Sequence, residues 1–147
     1  MEPVPAQSRS SQEVKTALLG ALRELASPEV VSAYLFGSHA EGRAHRESDV
    51  DVGVLFRWDL DRAARFDLRV RLAAELPGRL GARDVDVVVL NDAPPTLGRR
   101  IVLDGERLLC RDPDADHAFR RDVQLRAADL EPFLRWTRRL KLEALAR

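Results

Sequence analysis

The sequence predicts a single α/β domain that ends in a helical tail. Three short apolar runs rich in β-branched residues alternate with longer segments whose apolar residues recur every three or four positions. Hydrophobic residues make up 45% of the 147 residues, which is enough to fill a core. Because no repeat or linker divides the chain, residues 1–147 are predicted to form one domain, with residues 1–10 disordered.

The first two elements are a helix and a buried strand. Ser10 and Glu13 have the spacing of a capping box, and apolar residues at helical spacing follow, so a helix is predicted at residues 11–26. A Ser-Pro pair ends this helix. The next run, Val30–Phe36, is short, apolar and bounded by Gly37, as expected of a strand.

The second strand is predicted at Asp49–Phe56, after a polar segment that contains two glycines. Successive side chains of a strand point to opposite faces. Its alternating valines therefore face a core: Val50, Val52 and Val54. Asp49 and Asp51 then lie together on the other face.

The middle of the chain continues the alternation. Asp59 is expected to cap a second long helix, which Pro77 and Gly78 end. The sequence then predicts a strand, a short helix and a short strand: Asp84–Leu90, Thr96–Asp104 and Arg107–Cys110.

Helices are predicted over the tail, residues 112–147. Asp112 and Pro113 are a capping residue followed by proline at the first helical position. Pro132 is expected to break the helix, which restarts with three apolar residues on one face: Phe133, Trp136 and Leu140. Trp136 could pack on the domain or anchor a partner, and Trp58 could also contact a partner.

Charge and hydropathy exclude several protein classes. Basic and acidic residues balance at 24 each, so a protein that mainly coats nucleic acid is not expected. The chain has no run of 18 apolar residues, and its N-terminus lacks the pattern of a signal peptide. We therefore expect a cytoplasmic protein that makes no membrane contact and does not bind nucleic acid directly.

Candidate functional residues follow the ends of the predicted strands. Gly37 and Ser38 leave the first strand where a phosphate could approach the backbone closely. Ten residues later, Asp49 and Asp51 sit about 7 Å apart on one strand face, a spacing that suits Mg²⁺. A third carboxylate is needed for two metal ions, and Asp86 is preferred to Asp84 because a charge inside an apolar run needs a metal or another partner.

The pattern Gly-Ser, ten residues, Asp-x-Asp resembles the DNA polymerase β-like nucleotidyltransferase superfamily. Gly42 and Ser48 fall where short members of that superfamily carry such residues. The chain length, the segment VDVVVL and the tail RAADLEPFLRW are similar to the minimal nucleotidyltransferases (MNT proteins), which act as antitoxins beside HEPN ribonuclease toxins. The resemblance covers roughly residues 12 to 140.

This resemblance implies a mixed sheet flanked by helices, Mg²⁺ ions, and transfer of AMP from ATP to a tyrosine of a HEPN toxin. Asp49, Asp51 and Asp86 would hold the metals. The implied nucleotide-binding residues are Gly37, Ser38, Gly42, Arg43 and Ser48. A hetero-oligomer with the toxin is expected.

Two other functions stay open at this point. The chain could be an antitoxin that neutralises its partner by binding alone, with a vestigial nucleotide site, because the tail is rich in large apolar residues. It could also adenylylate a small molecule such as an antibiotic. The acceptor residue, the number of AMP groups and the oligomeric state are not encoded in any motif.

Overall fold

The computed structural model describes residues 10–37 and 49–146. These residues form four α-helices, four strands and a short 3₁₀ turn at Leu90–Asp92. The helices are α1 (Ser11–Leu25), α2 (Arg62–Leu80), α3 (Pro95–Asp104) and α4 (Pro113–Leu145). The strands are β1 (Val30–Phe36), β2 (Val50–Phe56), β3 (Val85–Val89) and β4 (Glu106–Cys110).

The four strands make one mixed sheet in the order β3-β2-β1-β4. β1 is antiparallel to both β2 and β4, whereas β2 and β3 run parallel. The end of β1 therefore meets the beginnings of β2 and β3 at one edge. The mixed sheet flanked by helices confirms the predicted fold class.

Each face of the sheet is covered by its own apolar cluster. The predicted alternation of β2 is confirmed, because its valines pack with α1 and α2 on one face. On the other face, Leu55 packs with Tyr34 and with Ile101 of α3 and Phe119 of α4. A Cβ at position 53 would lie 2.9 Å from Cγ2 of Ile101, so a larger residue there would require Ile101 to shift. This contact brings α3 down onto the centre of the sheet.

Two predicted helix boundaries are wrong. Asp61 caps α2, not Asp59, because the Asp61 side chain accepts a hydrogen bond from the Ala64 N–H at 2.8 Å. Pro77 does not end α2, which continues to Leu80. The extra turn buries Leu80 in the core and ends at Gly81, whose left-handed conformation (φ +63°) closes the helix.

The predicted break at Pro132 is also wrong, because α4 runs unbroken from Pro113 to Leu145. Proline removes one backbone hydrogen bond from a helix interior. Pro132 is exposed, so water can satisfy the freed carbonyl of the preceding turn. A proline at such a position can be tolerated without a break.

The start of α1 agrees with the prediction, since Ser10 accepts a hydrogen bond from the Glu13 N–H. The disorder predicted for residues 1–10 otherwise lies outside the described residues. In the described parts of the chain, every helix is too short or too polar to cross a membrane.

Candidate active site

Three of the predicted site residues gather at the sheet edge where β1 ends and β2 and β3 begin. Gly37 directly follows β1, while Asp51 and Asp86 are the second residues of β2 and β3. In the strand register, Asp51 is opposite both Phe36 and Asp86. Neighbouring strands lie about 4.8 Å apart, so this register places the backbones of Asp51 and Asp86 side by side.

Both aspartates belong to the sheet face that carries α3 and α4. Their neighbours along the strands, Val50, Val52, Val85 and Val87, are buried in the cluster on the opposite face. Because strand side chains alternate, Asp51 and Asp86 point away from that cluster. The carboxylates therefore share one face at the end of two adjacent strands.

Gly37 forms a close contact with one of these aspartates. Its φ of +74° is a conformation that residues with a Cβ rarely adopt. A Cβ built at Gly37 would collide with Oδ2 of Asp51. The turn after β1 can therefore press its backbone against the Asp51 carboxylate only because position 37 is glycine.

The exposure of the three aspartates differs. Asp51 is half-buried and makes contacts, whereas Asp49 and Asp86 are exposed. The prediction that the surrounding apolar run buries the charge of Asp86 is wrong, because Asp86 is exposed. Among the described residues β3 is an edge strand, and Asp86 is exposed on it. The register opposite Asp51 is the stronger reason to prefer Asp86 to Asp84, which precedes the strand.

The predicted metal ligands have the chemistry that Mg²⁺ requires, since all are carboxylates. The backbone of Gly37 lies so close to the Asp51 carboxylate that no side chain fits at position 37. Across residues 10–37 and 49–146, no three His, Cys, Asp or Glu side chains converge as a ready metal site. Four predicted nucleotide-binding residues lie outside the described residues: Ser38, Gly42, Arg43 and Ser48. The ligand set stays a prediction.

A buried polar network behind the site joins the sheet to α4. The Tyr34 hydroxyl donates to Oδ1 of Asp116 at 2.6 Å, and Arg107 donates to Oδ2 at 2.9 Å. Arg120 donates to the Tyr34 oxygen at 3.2 Å and lies over its ring. Sequence reasoning missed this network because an aspartate in the first turn of a helix is normally exposed.

The network shifts two pKa values in opposite directions. Burial and the hydrogen bond to Asp116 raise the pKa of Tyr34 to about 12. Burial alone would raise the pKa of Asp116, but the hydrogen bonds from the Tyr34 hydroxyl and the Arg107 guanidinium outweigh it and lower that pKa. The carboxylate of Asp116 is thus held charged and the phenol of Tyr34 neutral at physiological pH.

Beside the site, α2 is tied to the outer edge of β3. Arg65 forms a bidentate pair with Asp92, with distances of 3.0 and 2.7 Å. Arg69 donates its Nε to the carbonyl of Val87 at 2.9 Å. These bonds fix the position of β3, and therefore of Asp86, against the helix.

Comparison with known families gives this geometry a context. Residues 22–114 match the family described as polymerase beta, nucleotidyltransferase. The chain belongs to the polymerase beta nucleotidyltransferase family. That match includes Gly37, Asp49, Asp51 and Asp86, and it confirms the superfamily that the motif predicted.

Individual proteins similar to this chain include a protein adenylyltransferase and chains of toxin–antitoxin complexes. The protein adenylyltransferase MntA of Shewanella oneidensis is 40% identical over 81 residues, which cover 55% of each protein. The chain thus spans about half the length of this curated relative. A crystal structure of a toxin–antitoxin with AMP-PNP contains a chain 28% identical, with a TM-score of 0.65, covering 90% of this chain and 98% of that one.

A second structure carries a modified partner. It is the tri-AMPylated Shewanella oneidensis HEPN toxin in complex with an MNT antitoxin, and a chain in it is 26% identical to this one. The similarity covers 93% of this chain and 99% of that chain, with a TM-score of 0.62. The resemblance to minimal nucleotidyltransferases is confirmed by these relatives.

Proposed function

We propose that this chain is a Mg²⁺-dependent adenylyltransferase that transfers AMP from ATP to a hydroxyl of a partner HEPN-domain toxin, and so acts as its antitoxin. The observation that carries the proposal is the register of Asp51 opposite Asp86, with Gly37 against Asp51, in a polymerase beta nucleotidyltransferase. This arrangement has carboxylates on two adjacent strands beside a turn that admits close backbone approach.

The reaction is an in-line displacement at the α-phosphorus of ATP. The oxygen of the acceptor hydroxyl forms a bond to phosphorus, the bond between the α-phosphorus and its bridging oxygen breaks, and pyrophosphate leaves. The hydroxyl proton passes to water. Such a transfer needs mainly alignment of the reactants and compensation of charge, so a rigid strand end is a suitable place for it.

Each candidate residue has a distinct role in this proposal. Gly37 and Ser38 contact the triphosphate, and Gly42, Arg43 and Ser48 belong to the same nucleotide-binding segment. Asp49 and Asp51 hold the metal on the nucleotide side, and Asp86 completes the site next to the acceptor hydroxyl. Two Mg²⁺ ions bound to these carboxylates would offset the charge of the leaving pyrophosphate and activate the hydroxyl.

A protein acceptor is supported by two observations. Solved structures similar to this chain include toxin–antitoxin complexes, one of them with an AMPylated toxin. In addition, α4 has no buried residue after Ala127, and its second half exposes a stripe of apolar side chains that we call the tail stripe: Phe133, Trp136 and Leu140. Large apolar side chains on one face are typical of a protein interface.

The tail stripe also supports a second candidate function, neutralisation by binding alone. Phe133 and Trp136 are 57% and 56% exposed and contact each other with ring centroids 6.0 Å apart. A partner that covers this stripe could be inhibited without modification. We propose a hetero-oligomer with the toxin in either case, in the cytoplasm.

Intact mass spectrometry of the partner distinguishes the two functions. A HEPN-domain toxin from the same source is incubated with the wild-type chain, Mg²⁺ and ATP, in parallel with Asp51→Asn and with Asp67→Asn, a matched change at an exposed position of α2. We expect mass increases of AMP units with the wild type and Asp67→Asn, and none with Asp51→Asn. An unmodified partner that co-purifies with the wild type would favour binding alone.

A further inference from the structure

A cavity of about 360 Å³ lies at the free edge of β3, and its lining begins at Val87, the residue after Asp86. Its floor is the strand itself, residues Val87–Val89, and one wall is formed by Arg62, Phe66 and Arg69 of α2. Leu97 of α3 and the segment 92–94 close the other side. The size is at the lower end of the range for small-ligand sites, about 300–1,000 Å³.

The cavity continues the proposed active site along β3. Asp86 and Val88 point to the same face of the sheet, about 7 Å apart by the strand rise. The sheet order ends at β3, so among the described residues no fifth strand covers this edge. Val88, on the same face as Asp86, belongs to the cavity lining, so the lining and the proposed site adjoin along β3.

The wall of the cavity on α2 combines positive charge with an aromatic ring. Arg62, Phe66 and Arg69 are spaced four and three residues apart, so they share one face of the helix. Phe66 is 56% exposed. Arg69 uses its Nε on the carbonyl of Val87, and Arg62 makes no hydrogen bond or ion pair to any described residue.

The acidic residue of the cavity does not cancel this charge. Its single negative charge lies among three guanidinium groups, because both oxygens of Asp92 are bonded to Arg65, Arg62 also interacts with it electrostatically, and Arg69 lines the same cavity. The guanidinium of Arg62 and the remaining N–H groups of Arg69 therefore face the cavity as net positive charge. Arginine on a helix face next to an exposed ring suits a ligand with a phosphate and a planar base.

We propose that this cavity binds the AMP group of an acceptor that has already been modified once. Arg62 and Arg69 hold its phosphate, and Phe66 stacks on its base. A second round of transfer then needs only a new ATP, because the modified acceptor stays anchored beside Asp86. The inference rests on the proposed adenylyltransferase function and extends it to successive additions.

Two features favour this ligand over an unmodified acidic segment of the acceptor. An acidic peptide would satisfy the arginines but would leave the exposed ring of Phe66 unused. The toxin in a complex similar to this chain is tri-AMPylated, so that partner carries more than one AMP. In each later round the chemistry is the same: a hydroxyl oxygen bonds to the α-phosphorus, pyrophosphate leaves, and the proton passes to water.

The first test follows successive AMP additions by time-resolved intact mass spectrometry. The variants are Arg62→Gln and Phe66→Ala, with Arg71→Gln and Val70→Ala as matched controls on exposed positions of the same helix. We expect the first addition to stay near the wild-type rate while the second slows by about tenfold, the loss of one good contact. The controls should follow the wild type. Equal slowing of both additions, no slowing, or a wild type that stops at one AMP would overturn the inference.

A binding measurement separates failure of the inference from failure of the proposed function. Calorimetry measures the binding of 5′-AMP to the full chain, with Mg²⁺ and AMP-PNP present to occupy the nucleotide site. We expect Arg62→Gln to weaken AMP binding by about tenfold and Arg71→Gln to leave it unchanged. If the chain transfers no AMP at all, the proposed function fails, and this measurement still decides the inference. Absent binding, or binding that Arg62→Gln does not weaken, would overturn it.

Discussion

The hydroxyl of Tyr34 donates a hydrogen bond to Oδ1 of Asp116 at 2.6 Å, and both side chains are fully buried. Tyr34 lies on β1, two residues before the strand reaches the site edge, and Asp116 lies in the first turn of α4. This bond therefore connects the strand that leads to Gly37 with the helix that carries the tail stripe.

The first prediction concerns the stability that this bond supplies. Tyr34→Phe leaves Asp116 with fewer donors in a buried site, and we expect the free energy of unfolding to fall by about 1–3 kcal/mol. Urea denaturation followed by circular dichroism measures the change. Phe36→Leu changes the size of a side chain on the same strand and keeps the Tyr34 hydroxyl. It is a control that should not change the pKa of Tyr34. An unchanged midpoint in Tyr34→Phe would show that the bond is not needed for stability.

The second prediction concerns pH. Tyr34 is the single tyrosine of the chain, so ultraviolet titration of tyrosinate reports on it alone. Its pKa is raised to about 12 in the folded state from an ordinary 10.0. A raised pKa stabilises the folded state fully below pH 10, and this stability is lost as the pH rises through the folded pKa. We expect a titration midpoint near 12 in the native chain and near 10 in denaturant, and a midpoint near 10 in both would contradict the buried network.

The third prediction tests the contact of Gly37 with Asp51. Gly37→Ala adds a Cβ that collides with the Asp51 carboxylate, and the alanine would have to adopt the left-handed conformation of position 37. We therefore expect AMP transfer to fall by about 100-fold. Gly81→Ala is the matched control, because Gly81, the C-cap of α2, also has a positive φ (+63°). Both variants should lose about 1 kcal/mol of stability. Equal activity in the two variants would mean that the close contact is not functional.

The fourth prediction concerns the tail stripe. Trp136→Ala removes a large exposed ring, and we expect affinity for the partner to fall by about 2 kcal/mol, or about 30-fold, with little change in the stability of the isolated chain. Leu142→Ala is the control, since Leu142 is 67% exposed on α4 but lies outside the stripe. Biolayer interferometry measures both. Equal affinities would exclude the stripe from the interface.

The sequence predicted the strands and the family better than the helix ends. Alternation in β2 separates buried valines from aspartates because strand side chains alternate strictly, so the sequence alone is enough to identify Asp51. The helix ends predicted at two prolines are wrong, because the effect of a proline on a helix depends on the residues that surround it. Pro77 is followed by a buried Leu80 and Pro132 is exposed, and neither property is visible locally.

Other parts of the site depend on contacts that are distant in sequence. Asp86 was chosen from an apolar run that suggested burial, yet the edge position of β3 leaves it exposed. Asp116 and Tyr34 are 82 residues apart, and no local pattern pairs them. The cavity on α2 likewise depends on how that helix meets the edge of β3, which the helical spacing of Arg62, Phe66 and Arg69 does not reveal alone.

The carboxylates of Asp51 and Asp86, side by side in register, form the proposed catalytic centre. The most direct measurement compares the rate of AMP transfer to the partner in Asp86→Asn and Asp84→Asn, two equivalent changes two residues apart on the chain. We expect a fall of about 100-fold or more for Asp86→Asn and near wild-type transfer for Asp84→Asn. Full activity in Asp86→Asn, or an equal loss in both, would contradict it.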